Sequence, residues 1–212
     1  MKHIIIALSI LLLTTSSSSA KSSYSNKYQG SYVSKSHLHK IFKKVKRSSD
    51  VSQLALSKAF NYYEKNRYKK HLSPHYIAIA DYTKLATTKR LYIINLHSGK
   101  VYRHMVAHGK NSGAMGGRVW RASNRLNSFK TPTGFFKVGT REGLTSKRYK
   151  YLGIEGLEWK NRNAKKREIL LHTAKYVRWG GRSGGCFAIK PQDKKQVFKR
   201  LKTALLYSYV GR

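Results

Sequence analysis

Cysteine and acidic residues are scarce in this chain. It has one cysteine, Cys186, among 212 residues, which excludes a fold held together by disulfides within the chain. Its 8 aspartate and glutamate residues leave few ligands for a metal ion, and no HExxH motif is present, so we expect neither a metal nor a cofactor.

Positive charge, in contrast, is abundant. Lysine and arginine number 44, which gives a formal net charge of +36. This excess predicts attraction to polyanions, such as an anionic cell-wall polymer or a membrane surface. Because the basic residues are spread along the whole chain, they indicate an environment rather than a site, and we expect no specific nucleic-acid partner.

Long apolar runs are absent except for one of ten residues, from Ile4 to Leu13. This run is too short to span a bilayer, which takes about 20 residues. It follows a basic start at Lys2 and ends in small residues up to Ala20, which is typical of a secretory signal peptide. We therefore predict a signal peptide at residues 1–20 and export to the periplasm or cell envelope; an uncleaved anchor is the alternative.

The remaining chain divides into three parts. Residues 21–48 are serine-rich and basic, and they predict a flexible extension that becomes helical toward its end. Residues 49–73 carry apolar positions at helical spacing behind Ser49 and Asp50, which predicts a helical lead-in. Residues 74–212 predict the main domain.

The main domain is predicted to be mainly β, a sandwich or barrel of short strands. Its short runs are rich in Ile, Val, Tyr and Phe, and Ser98-Gly99 predicts a hairpin turn between two of them. Residues 192–203 predict a short C-terminal helix, and the closing run ALLYSYV predicts a last strand.

The neighbours of Cys186 decide between a reactive thiol and a buried small hydrophobe. A cysteine nucleophile needs a base, since a free thiol is mostly protonated at neutral pH. His172 lies at the end of the apolar run REILLHT, and 13 residues separate it from Cys186, which opens the run CFAIK. We predict that the two strand ends meet, and that the backbone carbonyl of Thr173 orients the imidazole.

The residues before the cysteine predict a group of hydrogen-bond donors that could stabilise an oxyanion. Backbone N–H groups of Gly184, Gly185 and Cys186 are candidate donors to an oxyanion, because glycine lets a substrate approach the backbone closely. A tight turn is the alternative interpretation of the two glycines. Ser183 fits either a donor in the site or a turn former, and the sequence leaves this open.

Together these residues resemble the L,D-transpeptidase (YkuD-like) superfamily, and most closely its murein L,D-transpeptidase branch. Its mark is a histidine, a spacer and then Ser/Thr-x-Gly-Cys, here His172 followed by Ser183, Gly184, Gly185 and Cys186. The resemblance covers roughly residues 74–212, through the blocks IADYTKLATTKRLYIINL, VAHGKNSG, GLEWKNRNAKKREILLHTAKYV and GRSGGC. The chain departs from the branch at Gly184, where an aromatic residue or histidine is usual, at Phe187, where proline is common, and in its shorter spacer.

The resemblance implies an exported cysteine acyltransferase that acts on peptidoglycan stem peptides. It implies a thioester on Cys186, resolved by an amine to give a 3-3 cross-link or exchange of the terminal D-amino acid, or by water in an L,D-carboxypeptidase. Arg182 and His108 are candidate substrate contacts, since stem peptides carry carboxylates and a glycine-rich loop follows His108.

Two other readings compete with this one. A sortase-like transpeptidase would need a threonine-rich lead into the cysteine and an arginine on the next strand, and SGGCFAIK supplies neither. A non-catalytic, cationic cell-wall-binding protein would use the charge alone, and its binding would weaken steeply with salt.

Overall fold

The computed structural model describes residues 31–211, so the predicted signal peptide and the start of the extension lie outside it. Three α-helices are present: α1 (Lys35–Ser48), α2 (Gln53–Asn66) and α3 (Lys194–Leu201). Eight strands form one sheet: β1 (Tyr76–Asp81), β2 (Leu91–Asn95), β3 (Val101–His104), β4 (Gly134–Leu144), β5 (Lys150–Gly156), β6 (Leu170–Thr173), β7 (Phe187–Ile189) and β8 (Leu205–Tyr209).

The strand order in the sheet is β3-β2-β1-β8-β4-β5-β6-β7. Two neighbouring pairs are parallel, β1 with β8 and β6 with β7, and the other pairs are antiparallel. The β6–β7 pair matters most for the site, since it joins the two runs that carry His172 and Cys186.

The two edges of this sheet approach each other. The segment that follows β3 hydrogen-bonds to the other edge: Ala107 N–H donates to the Ala188 carbonyl, at 2.9 Å, and Ser183 N–H donates to the His108 carbonyl, at 2.8 Å. These contacts nearly close the sheet into a barrel, which leaves few unpaired edge groups. The predicted mainly β class is therefore confirmed.

The alternation of side chains along β1 divides the core in two. Ile77 and Ile79 face the outer layer, where they pack with residues of α1 and α2, while Ala78 and Ala80 face the interior of the barrel. All four side chains are fully buried. β1 is thus covered on both faces, which explains its almost continuous apolar sequence.

Two helices precede the sheet: α1 lies in the segment 21–48, which was predicted to become helical toward its end, and α2 lies in the lead-in 49–73. α1 begins behind the N-cap Ser34 and buries Leu38, Ile41 and Val45, a spacing that lines one helix face. α2 begins behind Ser52, and not behind Ser49 or Asp50.

Asp50, predicted as a cap, instead fastens the lead-in to the sheet. Its carboxylate accepts hydrogen bonds from Lys84 Nζ, at 2.8 Å, and from the Tyr92 hydroxyl, at 3.1 Å, and lies 3.2 Å from Arg103 Nη2. Lys84 and Tyr92 lower the pKa of this carboxyl, outweighing the effect of burial, so it stays ionised.

β5 is the one strand that the sequence analysis missed. Leu152 and Ile154 are buried and their neighbours less so, the alternation of a half-covered strand. Two glycines, Gly153 and Gly156, interrupt the run, which weakens its strand signal. Within residues 31–211, no helix combines the length and apolarity that a bilayer span requires.

The packing of α2 predicts unequal effects of two leucine truncations in the same helix. Leu56 is fully buried beneath α2, whereas Leu54 is 50% exposed. We expect Leu56→Ala to lower the free energy of unfolding by about 2–5 kcal/mol, through lost burial and the cavity left behind. Leu54→Ala, the matched control, should change it by less than about 0.5 kcal/mol.

Urea unfolding of the two variants measures both values. Equal losses for Leu56→Ala and Leu54→Ala would show that α2 does not pack on the sheet as described.

Candidate active site

The parallel pairing of β6 and β7 places His172 and Cys186 on one face of the sheet. His172 lies beside Ala188, and Cys186 stands two residues before Ala188, so its side chain is directed to the same side. Leu171 and Phe187, the alternate residues, point into the core and are fully buried. The strand that carries His172 therefore lies directly beside the strand that follows Cys186.

His172 and Cys186 line the same open cavity of about 490 Å³. Its walls come from β6, from the loop before Cys186, from the β4–β5 hairpin and from the segment around Lys110 and Phe129. The lining residues are Lys110, Phe129, Thr145, Ser146, Lys147, Tyr149, Glu168, Leu170, His172, Tyr176, Arg182, Ser183, Gly184 and Cys186.

The imidazole of His172 is held in one orientation. Its Nδ1 lies 3.0 Å from the carbonyl oxygen of Thr173, the contact that the sequence predicted. Since a carbonyl only accepts, Nδ1 carries the proton and Nε2 keeps its lone pair. The ring of Tyr149 stacks on the imidazole, with centroids 5.5 Å apart and an angle of 15° between the planes.

Burial keeps both partners of this pair neutral at rest. It lowers the pKa of His172, against the opposing effect of the Thr173 carbonyl. It also raises the pKa of the Cys186 thiol, although the backbone N–H of Leu170 and the Arg167 cation act in the other direction. The thiol donates to the Glu168 carbonyl, at 3.4 Å, and remains partly exposed to the cavity.

Arg167 is a site residue that sequence reasoning missed. Its Nη1 donates to the Ser123 carbonyl, at 2.6 Å, and its Nη2 donates to the Lys130 carbonyl. The guanidinium is partly buried and close enough to Cys186 to favour the thiolate. A chain with 44 lysines and arginines offers no signal that would single out this one.

The loop before Cys186 is a turn that Ser183 holds in place. Ser183 Oγ donates to the Cys186 carbonyl, at 2.8 Å, and accepts from Gly185 N–H, at 3.1 Å. Gly185 has a φ of +128°, and a Cβ there would lie 2.8 Å from the Lys130 carbonyl. The turn therefore requires glycine at this position, and Ser183 acts as the turn former.

This turn corrects one part of the predicted oxyanion site. Because Ser183 Oγ accepts the N–H group of Gly185, that N–H is not directed at a substrate. The N–H groups of Gly184 and Cys186 remain as the predicted donors, and Gly184 is exposed at the cavity wall.

Arg182 and His108, the predicted substrate contacts, are placed very differently. Arg182 is exposed and lines the cavity, and its Nη1 donates to the carbonyls of Lys110, at 3.0 Å, and Gly113, at 3.3 Å. His108 is fully buried and does not line the cavity, so the predicted substrate contact is contradicted.

His108 instead supports the loop from behind. Arg90 Nη2 donates to its Nδ1, at 2.8 Å, and its backbone carbonyl accepts from Ser183 N–H. Burial and the neighbouring Arg90 cation lower the pKa of His108 to about 4, so it is neutral. Within residues 31–211, no three His, Cys, Asp or Glu side chains are grouped as a metal site.

Comparison with known proteins identifies the family. The protein-family model described as "L,D-transpeptidase catalytic domain" matches residues 47–209, which is most of the chain and includes α2. The chain therefore belongs to this family, which supports a peptidoglycan transpeptidase-type function.

Two further comparisons add little to this assignment. A solved structure of the L,D-transpeptidase (residues 123–326) from Xylanimonas cellulosilytica DSM 15894 is similar over 68% of this chain and 68% of that chain, with 12% sequence identity and a TM-score of 0.38. A likeness this weak supports no argument about the site. Among curated proteins, no match was found.

The position of Arg167 predicts a measurable change in the reactivity of Cys186. Since the cation lowers the thiol pKa, we expect Arg167→Gln to move the pH midpoint of iodoacetamide alkylation upward and to slow alkylation at pH 7 severalfold. Arg167→Lys keeps the charge and should show a smaller shift. Cys186 is the only cysteine, so the label reports on one thiol.

Arg162→Gln is the matched control, because Arg162 stacks on Trp159 and does not shift the pKa of Cys186. An unchanged midpoint in a folded Arg167→Gln protein would contradict the electrostatic role of Arg167.

Proposed function

We propose that this protein is an exported cysteine acyltransferase that acts on the stem peptides of peptidoglycan. The observation that carries the proposal is the placement of Cys186 and His172 on one face of the β6–β7 pair, in one open cavity. The carbonyl that fixes His172 Nδ1 supports the assignment of Nε2 as the base.

The acylation step begins with a neutral pair. His172 Nε2 takes the thiol proton as Cys186 Sγ attacks the carbonyl carbon of the third stem residue, and a tetrahedral oxyanion forms. The N–H groups of Gly184 and Cys186 are the proposed donors to this oxyanion. When the bond to the terminal D-alanine breaks, the imidazolium returns the proton to the leaving amine, and a thioester on Cys186 remains.

The second step decides the product. An acceptor amine attacks the thioester carbon and loses a proton to His172, and the thiolate leaves and is reprotonated. The side-chain amine of another stem gives a 3-3 cross-link, and a free D-amino acid gives exchange. Water in place of the amine gives an L,D-carboxypeptidase, which is the alternative reaction.

The charge of the cavity suits such a substrate. Lys110, Lys147 and Arg182 line it against one acidic residue, Glu168. Stem peptides carry carboxylates, which the cationic rim would attract, and Arg182 is the proposed direct contact. The net charge of +36 supports a wider attraction to an anionic wall or membrane surface. The pattern of residues 1–20 supports export to the periplasm or cell envelope.

Product analysis with purified disaccharide-tetrapeptides tests this proposal. We expect the native protein to release D-alanine and to form dimers, and Cys186→Ala to do neither. His172→Gln should lower kcat/KM at least about 100-fold, because it removes the general base. His39→Gln, on the exposed side of α1, is the matched control and should keep native turnover.

The pattern of products separates the remaining readings. D-alanine release without dimers would favour the carboxypeptidase. Binding to sacculi without any turnover, unchanged by Cys186→Ala and lost at high salt, would contradict the enzyme and favour a cationic wall-binding protein.

A further inference from the structure

An exposed tryptophan stands next to the catalytic cavity. Trp179 ends the 3-10 helix Lys175–Trp179, and Tyr176 of the same helix lines the cavity. Side chains three residues apart in a 3-10 helix lie above one another, so Trp179 leaves the helix on the side of Tyr176. The indole is 59% exposed, and no described contact covers it except the guanidinium of Arg178, 3.9 Å from its ring centroid.

A second exposed aromatic ring, Phe129, lies in the cavity wall itself. It is 42% exposed, and Lys110 Nζ lies 4.2 Å from its ring centroid. Phe129 lies beside Gly184, whereas Tyr176 lies beside Gly181, so the loop 181–184 runs between the two aromatic positions. Phe129 and Trp179 each have a cation over the ring, Lys110 and Arg178 respectively.

Large apolar side chains exposed beside a functional cavity are typical of a binding surface. A rigid, flat ring with a cation on one face leaves its other face or its edge for a partner that is flat and partly apolar. The pyranose rings of an N-acetylated sugar polymer present such C–H faces. These sugar rings are uncharged, so they can stack on an aromatic ring without forming an ion pair with the neighbouring cation.

We propose that Trp179 and Phe129 form a stacking platform for the glycan strand of peptidoglycan. This deepens the proposed function and rests on it, since a stem peptide that enters the cavity is attached to a glycan strand that must lie along the rim. The basic residues of the cavity then hold the charged stem, and the aromatic rings hold the neutral sugar chain.

The chain contains its own control for this proposal. Trp159 is 77% exposed and has the guanidinium of Arg162 3.4 Å from its ring centroid, the same kind of stack. Trp159 lies beyond the end of β5 at Gly156. The opposite end of β5 is the one near the site, since Tyr151 there pairs with His172. Gly156 lies five residue steps along the strand from Tyr151, a length of about 17 Å.

The test measures binding of N-acetylglucosamine oligosaccharides, whose rings carry no carboxylate, to the full chain carrying Cys186→Ala. We expect Trp179→Ala to weaken binding roughly three- to tenfold, the loss of one aromatic stack. Trp179→Tyr should restore most of it, and Trp159→Ala should bind as the parent does. The loss in Trp179→Ala should persist in 0.5 M salt, because stacking is not screened.

Three results would overturn the platform: equal binding by Trp179→Ala and Trp159→Ala, a difference that disappears at high salt, or an effect of Trp179 on binding to vesicles of anionic phospholipid but not to glycan. The last result would assign the surface to a membrane. Because the assay uses no turnover, its failure is distinct from failure of the acyltransferase. Turnover of disaccharide-tetrapeptides by the Cys186-containing protein tests the latter separately.

Discussion

The site depends on one structural constraint, the parallel pairing of two very short strands. β6 and β7 contribute four and three residues, yet their register decides that His172 and Cys186 share a face. A shift of the register by one residue would direct one of the two side chains into the core. Leu171 and Phe187 resist that shift, since both are fully buried and a slip would expose them.

The surroundings of this pair stabilise it from several directions. The hydrogen bonds between Ser183 and the segment at His108 close the barrel at the point where the turn to Cys186 begins. Arg90 is fully buried and supports His108, which links the turn to the core. Arg167 ties the Ser123 and Lys130 carbonyls to the other side of the turn. The thiol is thus presented by a rigid frame, which favours a defined approach of substrate.

Burial sets the chemistry of the resting site. It disfavours the charged forms of both His172 and Cys186, so the pair is a neutral thiol and a neutral imidazole. In the proposed mechanism, the thiolate nucleophile forms only as the imidazole takes the proton. A thiol in this neutral form is protected from oxidation, because oxidants react with the thiolate.

Much of this could be predicted from the sequence, for identifiable reasons. The strand class followed from short β-branched and aromatic runs, and the contact of His172 with the Thr173 carbonyl followed from its place at a strand end. Three features could not be predicted. Arg167 acts through a fold-dependent approach to Cys186, His108 is buried by segments distant in sequence, and the Gly185 N–H is occupied by Ser183. The first two depend on tertiary contacts that no local pattern encodes. The third is a local turn contact, and the sequence left open whether Ser183 forms a turn or donates in the site.

One measurement addresses the central claim directly: the mass of the intact protein after brief exposure to disaccharide-tetrapeptide, followed by acid quench and peptide mapping. The account predicts a covalent adduct equal to the substrate less D-alanine, on the peptide that contains Cys186, and its absence in Cys186→Ala. An adduct on another residue, or release of D-alanine by Cys186→Ala at the native rate, would contradict it.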